Sequence, residues 1–269
     1  MTTPTLPVFE TIRLAQQGDV AVITLNRPER LNAAPPQMFA ELGRALAALP
    51  GLGARAVLIT GEGRAFCSGA DLQNVGQSDP RSRGAQAFAA LTEHYSPTMR
   101  AIAQLPIPVV VAVNGPAAGI GCSLALAGDF TLVGQSAYFL EAFVNIGLVP
   151  DGGATWMLTR LLGKARATQM AMLGERISAA QAEQWGLVYR AVADDQLMPE
   201  ALALAQRLAQ GPTRTLGLIR QGLASALEQT YEQALAMEAR HQQIAADTAD
   251  AAEGAMAFLQ RRKPQFAGR

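Results

Sequence analysis

The pattern of apolar and polar positions divides the chain into two regimes. In the first half, short apolar runs end in polar or glycine-rich stretches. VAVITLN (Val20 to Asn26) reads as a strand, ended by Asn26, Arg27 and Pro28. Pro36 to Leu49 has helical spacing and stops at Pro50 and Gly51. AVLIT (Ala56 to Thr60) is a second buried strand, and FCSGADL then enters a helix start. Gln73 to Gly84 mixes Gly, Ser, Asp, Pro and Arg and reads as a surface loop. Ala85 to Leu105 predicts one helix, stopped by Pro106 and Pro108. VVVAV (Val109 to Val113) and FTLVG (Phe130 to Gly134) are the third and fourth strands.

Beyond Gly153 helical spacing takes over. It predicts helices over Ala154 to Leu173, Ser178 to Trp185, and most of Gln196 to Arg262. Ser178 with Gln181 forms a capping box, and Gly186 forms the stop. Strands that alternate with helices predict an α/β fold with parallel strands joined by crossovers. Parallel strands are covered on both faces, which suits uninterrupted runs such as VVVAV.

Composition narrows the function. Of 269 residues, 49% are hydrophobic and 16% charged, enough for a sizeable core. The formal net charge is zero and no basic block occurs, so no nucleic-acid partner is expected. No apolar run approaches the ~18 residues of a membrane span, and the N-terminus lacks a signal-peptide pattern. Cys67 and Cys122 form no CxxC pair and read as buried thiols of a reduced, cytoplasmic compartment. No His, Cys and Asp cluster has metal-ligand spacing, so no metal is expected. His94 and His241, the only histidines, read as structural or surface residues. Met157, Met170 and Met172 fall on helical spacing and read as core. Asp71 reads as a helix cap, and Asp129 as a cap or turn.

The stretch NGPAAGIGCSLALAGDF (Asn114 to Phe130) raises the question of chemistry. Gly119 and Gly121 fit the start of a dinucleotide fingerprint, but Leu124 stands where its third glycine belongs. A Walker A lysine is absent too. Alone, the turn reads either as backbone geometry without a ligand or as N–H groups facing an anion. GEGRAFCSGADL (Gly61 to Leu72) repeats the layout after another strand. Two strand ends with free N–H groups can converge on one oxygen, as a main-chain oxyanion hole.

These segments, with LNRPERLN (Leu25 to Asn32), LVPDGGAT (Leu148 to Thr155) and FLQRRKPQF (Phe258 to Phe266), resemble the crotonase, or enoyl-CoA hydratase/isomerase, family. The resemblance runs in order along nearly the whole chain. It implies a spiral of ββα units over residues 1–200 and a helical oligomerisation region over 201–269. It implies a homotrimer or dimer of trimers, an acyl-CoA thioester as substrate, and no cofactor beyond that CoA. It assigns the oxyanion donors to the N–H groups of Ala70, after Gly69, and Ile120, after Gly119. Arg27, Arg30, Phe66, Ser68, Asp71 and Leu72 fall in segments that border CoA. Arg261 occupies a basic position that approaches CoA phosphates, although a solvated helix end explains it as simply.

The chain departs from a hydratase at two positions. Hydratases of the family place and deprotonate water with two glutamates; Ser123 and Phe143 stand there instead. Serine is no base without an activating partner, and Phe143 excludes water and shapes the acyl pocket. Glu141 is two residues away and reads as structural or surface. Asp151, in VPDGG, has ordinary turn composition. It also matches the position where related isomerases carry their single acid/base, walled by Phe139, Phe143, Ile146 and Leu148. One carboxylate and an oxyanion hole suffice for isomerisation. Hydration through Glu141, isomerisation of linear enoyl-CoA, and an inactive acyl-CoA-binding scaffold remain as alternatives.

Overall fold

A computed structural model describes residues 6–72 and 81–269. A six-stranded sheet is formed by β1 (Ile12–Gln17), β2 (Val20–Leu25), β3 (Ala56–Gly61), β4 (Val109–Val113), β6 (Phe130–Gly134) and β9 (Arg190–Val192), in that spatial order. β1 pairs antiparallel with β2 and all later pairings are parallel. A small second sheet holds β5 (Ala117–Ala118), β7 (Tyr138–Leu140) and β8 (Ile177–Ser178). The α/β class and the four strands of the first half agree with the pattern. β1 did not announce itself, because an edge strand with one polar face, IRLAQQ, lacks a continuous apolar run.

The two-residue strand period sorts the core. Val109, Val111 and Val113 join the main cluster with Val57 and Ile59. Val110 and Ala112 point the other way, into a second cluster with Ala56, Leu58, Leu197, Ala201, Ala205 and Ala209. The last four belong to α7 (Leu197–Ala209), which crosses residue 200 and covers the back of the sheet. α1 (Pro36–Ala48) packs into the main cluster through Met38, Phe39, Leu42 and Leu46.

The local expectations fare differently. Gln73–Pro80 of the expected loop lies outside the described residues, and the rest of it is already helical at α2 (Arg83–Ala90), with Ser82 as its cap. The helix expected over Ala85 to Leu105 is present: α2 continues into α3 (Ser96–Gln104) through one wide π turn, Leu91–Tyr95, with helical dihedrals at both joints. The helix start expected at FCSGADL leads into residues outside the described ones; within them Asp71 pairs with Arg27 at 2.8 Å. α5 (Ala154–Leu173) is broken at Gly163, whose φ of 71° and ψ of 168° no helix accommodates. Met170 is buried as expected, and Met157 packs against the core from its edge, but Met172 is 69% exposed on the outer side of α5.

The helices after α7 are α8 (Thr213–Ala226), α9 (Tyr231–Ala246) and α10 (Ala249–Leu259). Arg220 ties α8 to the sheet side. Its Nε meets both carboxylate oxygens of Asp129 at 2.7 and 2.8 Å, and its terminal nitrogens donate to the carbonyls of Ile102, Ala103 and Leu105. The guanidinium is nearly buried and uses its fixed fork of donors, which Lys cannot reproduce. Arg220→Met leaves Asp129 and three carbonyls without these donors. It is expected to cost about 3–5 kcal/mol, read as a lower denaturant midpoint with an unchanged slope.

Candidate active site

Two parallel bridges bring the glycine turns together. Cys67 pairs with Ala117, through Cys67 N–H to Pro116 O and Ala118 N–H to Cys67 O, at 3.1 and 2.9 Å. Ala34 pairs with Ala70: Ala34 N–H donates to Gly69 O and Asp71 N–H to Ala34 O. In such a bridge the Ala70 N–H itself points away from the partner. Neither Ala70 N–H nor Ile120 N–H has an acceptor among the described residues. Gly69 (φ 111°) and Gly119 (φ 52°) hold backbone conformations that side chains resist. A methyl group on Gly119 would lie 3.8 Å from Gly69 Cα, so the turns touch.

Below this junction lies α4 (Ile120–Ala125), whose six residues are all buried. Gly121 allows it to sit there: a Cβ would meet Cys67 O at 2.3 Å and Cys67 Sγ at 2.8 Å. Ser123 is fully buried and does no base chemistry in this arrangement. Its Oγ donates to the backbone carbonyl of Asp151 at 2.9 Å and so pins the PDGG turn to α4. Gly152 (φ 61°) makes the approach possible, since a Cβ would fall 2.3 Å from Ile120 Cδ1 and 2.9 Å from Ser123 Cβ. The Asp151 carboxyl is thereby held beside the turn that carries the Ile120 N–H.

Asp151 Oδ1 is buried without a hydrogen-bond partner among the described residues. Burial pushes its pKa from 3.8 to about 6. Phe143 is buried, and its ring tip lies 3.6 Å from where a Gly119 methyl would be, closing the site as expected. The rest of the expected wall differs. Phe139 lies in the core beneath, while Ile146 and Leu148 are more than half exposed, because the tight turn ending at Gly147 (φ 72°) swings them outward.

Glu141 departs most from its reading. It is fully buried, and neither carboxylate oxygen has a hydrogen-bond partner among the described residues. Burial pushes its pKa to about 7; the Cys122 thiol opposes that shift and the Asp151 charge adds to it. Sequence offered no signal for this, since a glutamate just past a three-residue strand has no preferred side. Tyr95 was also missed: it is buried, bonds Ala34 O at 2.9 Å, and feels the Asp151 charge.

The remaining candidates lie on the rim or beneath it. Arg27 bonds Asp71 and the Ala33 carbonyl, so the pair braces the donor loop from below. Arg30, Ser68, Ala70 and Leu72 are exposed on one rim, with Ser68 Oγ reaching Arg30 O at 3.5 Å. The Phe66 ring is wholly buried in the main core, so it supports the turn and presents no face to a ligand. Arg261 is exposed after α10 (φ 55°), and no described contact joins its side chain to the turns. His94 is half-buried in the wide turn, and His241 packs between α8 and α9 near Gly222. A cavity of about 620 Å³ lies between those two helices, lined by Ser225, Gln233, Met237 and His241 among others and not by the glycine turns.

A parallel sheet with two touching glycine turns, each leaving a backbone N–H without an acceptor among the described residues, defines a fold of the crotonase class. The sequence profile described as Enoyl-CoA hydratase/isomerase matches residues 15–269, and the chain belongs to this family of enzymes. It is 44% identical over 251 residues to the 1,2-epoxyphenylacetyl-CoA isomerase of Escherichia coli K12, covering 93% of this chain and 95% of that protein. It is 35% identical to the 2,3-dehydroadipyl-CoA hydratase of the same strain, covering 95% and 98%. The crystal structure of an enoyl-CoA hydratase from Polaromonas sp. JS666 superposes with a TM-score of 0.89 at 36% identity, covering 95% of this chain and 99% of that one. No described helix is long and apolar enough to cross a membrane.

Proposed function

We propose that the protein is an acyl-CoA isomerase with Asp151 as its single acid/base, and that its substrate is the ring 1,2-epoxide of phenylacetyl-CoA, converted to the oxepin-CoA. The observation that carries the reading is Asp151 itself: a carboxyl with a raised pKa, pinned by Ser123 against the turn that exposes Ile120 N–H. The likeness to the Escherichia coli isomerase supports the choice of acyl group.

The chemistry is a proton shift. Asp151 takes the proton from the carbon next to the thioester carbonyl, and the electron pair moves onto the carbonyl oxygen. Ala70 and Ile120 N–H groups meet that charge without reorganising, each donor worth ~3 kcal/mol. In the epoxide the carbon–carbon bond shared by the three- and six-membered rings opens, and its electron pair completes the double bonds of the seven-membered oxepin. Asp151 then returns the proton to a ring carbon; in a linear chain it returns the proton to a carbon further along the conjugated system. Atoms in and out are the same, so no water and no cofactor take part. A linear 3-enoyl-CoA passes through the same enolate to the 2-enoyl-CoA, which makes it the second reading for this site.

Ala70, Gly69, Gly119 and Ile120 form the oxyanion hole in this proposal, while Phe143 and Ser123 shape the acyl end. Arg27, Arg30, Ser68, Asp71 and Leu72 edge the CoA side, chiefly through backbone and apolar contact. Arg261 serves CoA phosphates from a neighbouring subunit. α8 to α10 join copies into a trimer or dimer of trimers; Leu223, Leu227, Tyr231, Phe258 and Leu259 leave large apolar surface uncovered on them, which supports that role. Assays with crotonyl-CoA, a 3-enoyl-CoA and the phenylacetyl-CoA epoxide test the reaction. Turnover of the epoxide and the 3-enoyl-CoA is expected. Hydration of crotonyl-CoA at a hydratase-like rate overturns it, and turnover of the 3-enoyl-CoA alone selects the linear reading.

A further inference from the structure

We propose that Glu141 is a second acid of the site, a positioning residue that must be neutral for substrate to bind productively beside an ionised Asp151. The proposal rests on the reading of Asp151 as the acid/base.

Both acidic residues touch α4, Glu141 through its side chain and Asp151 through its backbone. Cys122 contacts Glu141, and the next residue, Ser123, holds the Asp151 turn at 2.9 Å. The residue before Glu141 is bound to the oxyanion turn itself: Leu140 O accepts the Gly119 N–H at 2.9 Å. Two residues on, Phe143 closes the pocket over Gly119. Glu141 is therefore built into the back wall of the site. Its two oxygens and Asp151 Oδ1 lack partners among the described residues, and no basic side chain bonds to either acid there. The titratable groups acting on Glu141 there are Cys122, from α4, and Asp151, from the turn before α5. With no basic partner, burial outweighs the opposing Cys122 thiol and keeps the Glu141 proton on.

Consequences follow from linkage. Asp151 gives up its proton first, near pH 6; burial, with the Asp151 charge added to it, holds the Glu141 proton until near pH 7. Between these values the site carries one negative charge and one neutral acid. Above them two carboxylates share one water-poor wall. An apolar acyl group that fills the pocket expels the water that still solvates those charges, and so favours the protonated Glu141. Binding weakens as Glu141 ionises.

The test is the pH profile of the 3-enoyl-CoA or epoxide isomerisation. In the wild type kcat/KM falls about tenfold per pH unit above the upper pKa, through KM rather than kcat. In Glu141→Gln this alkaline limb disappears while the limb from Asp151 remains. Glu141→Asp keeps an alkaline limb. An unchanged limb in Glu141→Gln, or a uniform loss of rate at every pH, overturns the proposal. Should the Gln variant fail to fold, NMR of wild type labelled with ¹³C-glutamate decides without turnover. One glutamate carboxyl is expected to titrate near pH 7 and to move down in Asp151→Asn; if no glutamate titrates above its ordinary range, the proposal fails. Undiminished isomerisation by Asp151→Asn sinks the Asp151 reading instead, whatever Glu141 does.

Discussion

Asp151→Asn is expected to lower kcat for isomerisation by about 10²–10⁴-fold while the protein stays folded. Asn has the same shape and keeps the backbone carbonyl that Ser123 holds at 2.9 Å, so the turn survives. Only the base is lost. The pH dependence has a definite sign. A base works ionised, so wild-type kcat/KM rises with pH through about 6 and is lost below it. Stability runs the other way. The folded pKa lies above the ordinary value of 3.8, so the folded state holds this proton more tightly than the unfolded chain. That contribution is fully present below about pH 4 and is lost as pH rises through about 6. Relative to wild type, the Asn variant therefore gains thermal stability as pH rises towards neutrality. Steady-state kinetics and melting curves across pH check both halves. A variant with wild-type kcat removes Asp151 from the mechanism.

Gly119→Ala is expected to cost about 10²–10³-fold in kcat, with a smaller effect on the fold. The reason is a torsion. Gly119 has φ 52° and ψ −128°, a combination almost closed to residues with a Cβ. The ψ of residue 119 sets the direction of the Ile120 N–H, since both lie in the next peptide plane. Space is not the obstacle: the nearest atom to a new methyl is Phe143 Cζ, at an ordinary 3.6 Å. Alanine relieves its strain by rotating that plane, and the donor turns away from the thioester oxygen. Strain of about 1–3 kcal/mol limits the stability loss. The kinetic signature is a fall in kcat with little change in the binding of a CoA thioester that cannot enolise. An equal loss of that binding would mean that the pocket, and not the donor, had collapsed.

Much of the site could be read directly because its parts are local. A glycine with positive φ, a β-branched run and a Pro-Asp-Gly turn are properties of a few consecutive residues. So the donor turns, the strands at 20–25, 56–61, 109–113 and 130–134, and Asp151 were legible. The ion pair at Asp71 was not legible for the opposite reason: its partner Arg27 lies far back in the chain, and no local spacing announces it. α5 read as one helix because a single interior glycine costs only ~1 kcal/mol, yet Gly163 leaves the helical region there. Met172 followed helical spacing but faces outward from that broken helix.

By itself the sequence determined an α/β chain that resembles the enoyl-CoA hydratase/isomerase family, with Ser123 and Phe143 where hydratases hold glutamates; it also nominated Ala70 and Ile120 as main-chain donors and Asp151 as the acid/base of the proposed reaction. These are matters of residue type at fixed local spacing. Only the tertiary structure decided that Gly69 and Gly119 touch, that Ser123 holds the Asp151 turn, and that Glu141 is buried with no basic partner among the described residues. Parallel pairing and crossovers join positions far apart in the chain, and burial then sets proton affinities. Neither the register between distant strands nor the loss of water around a carboxyl leaves a trace in local residue order.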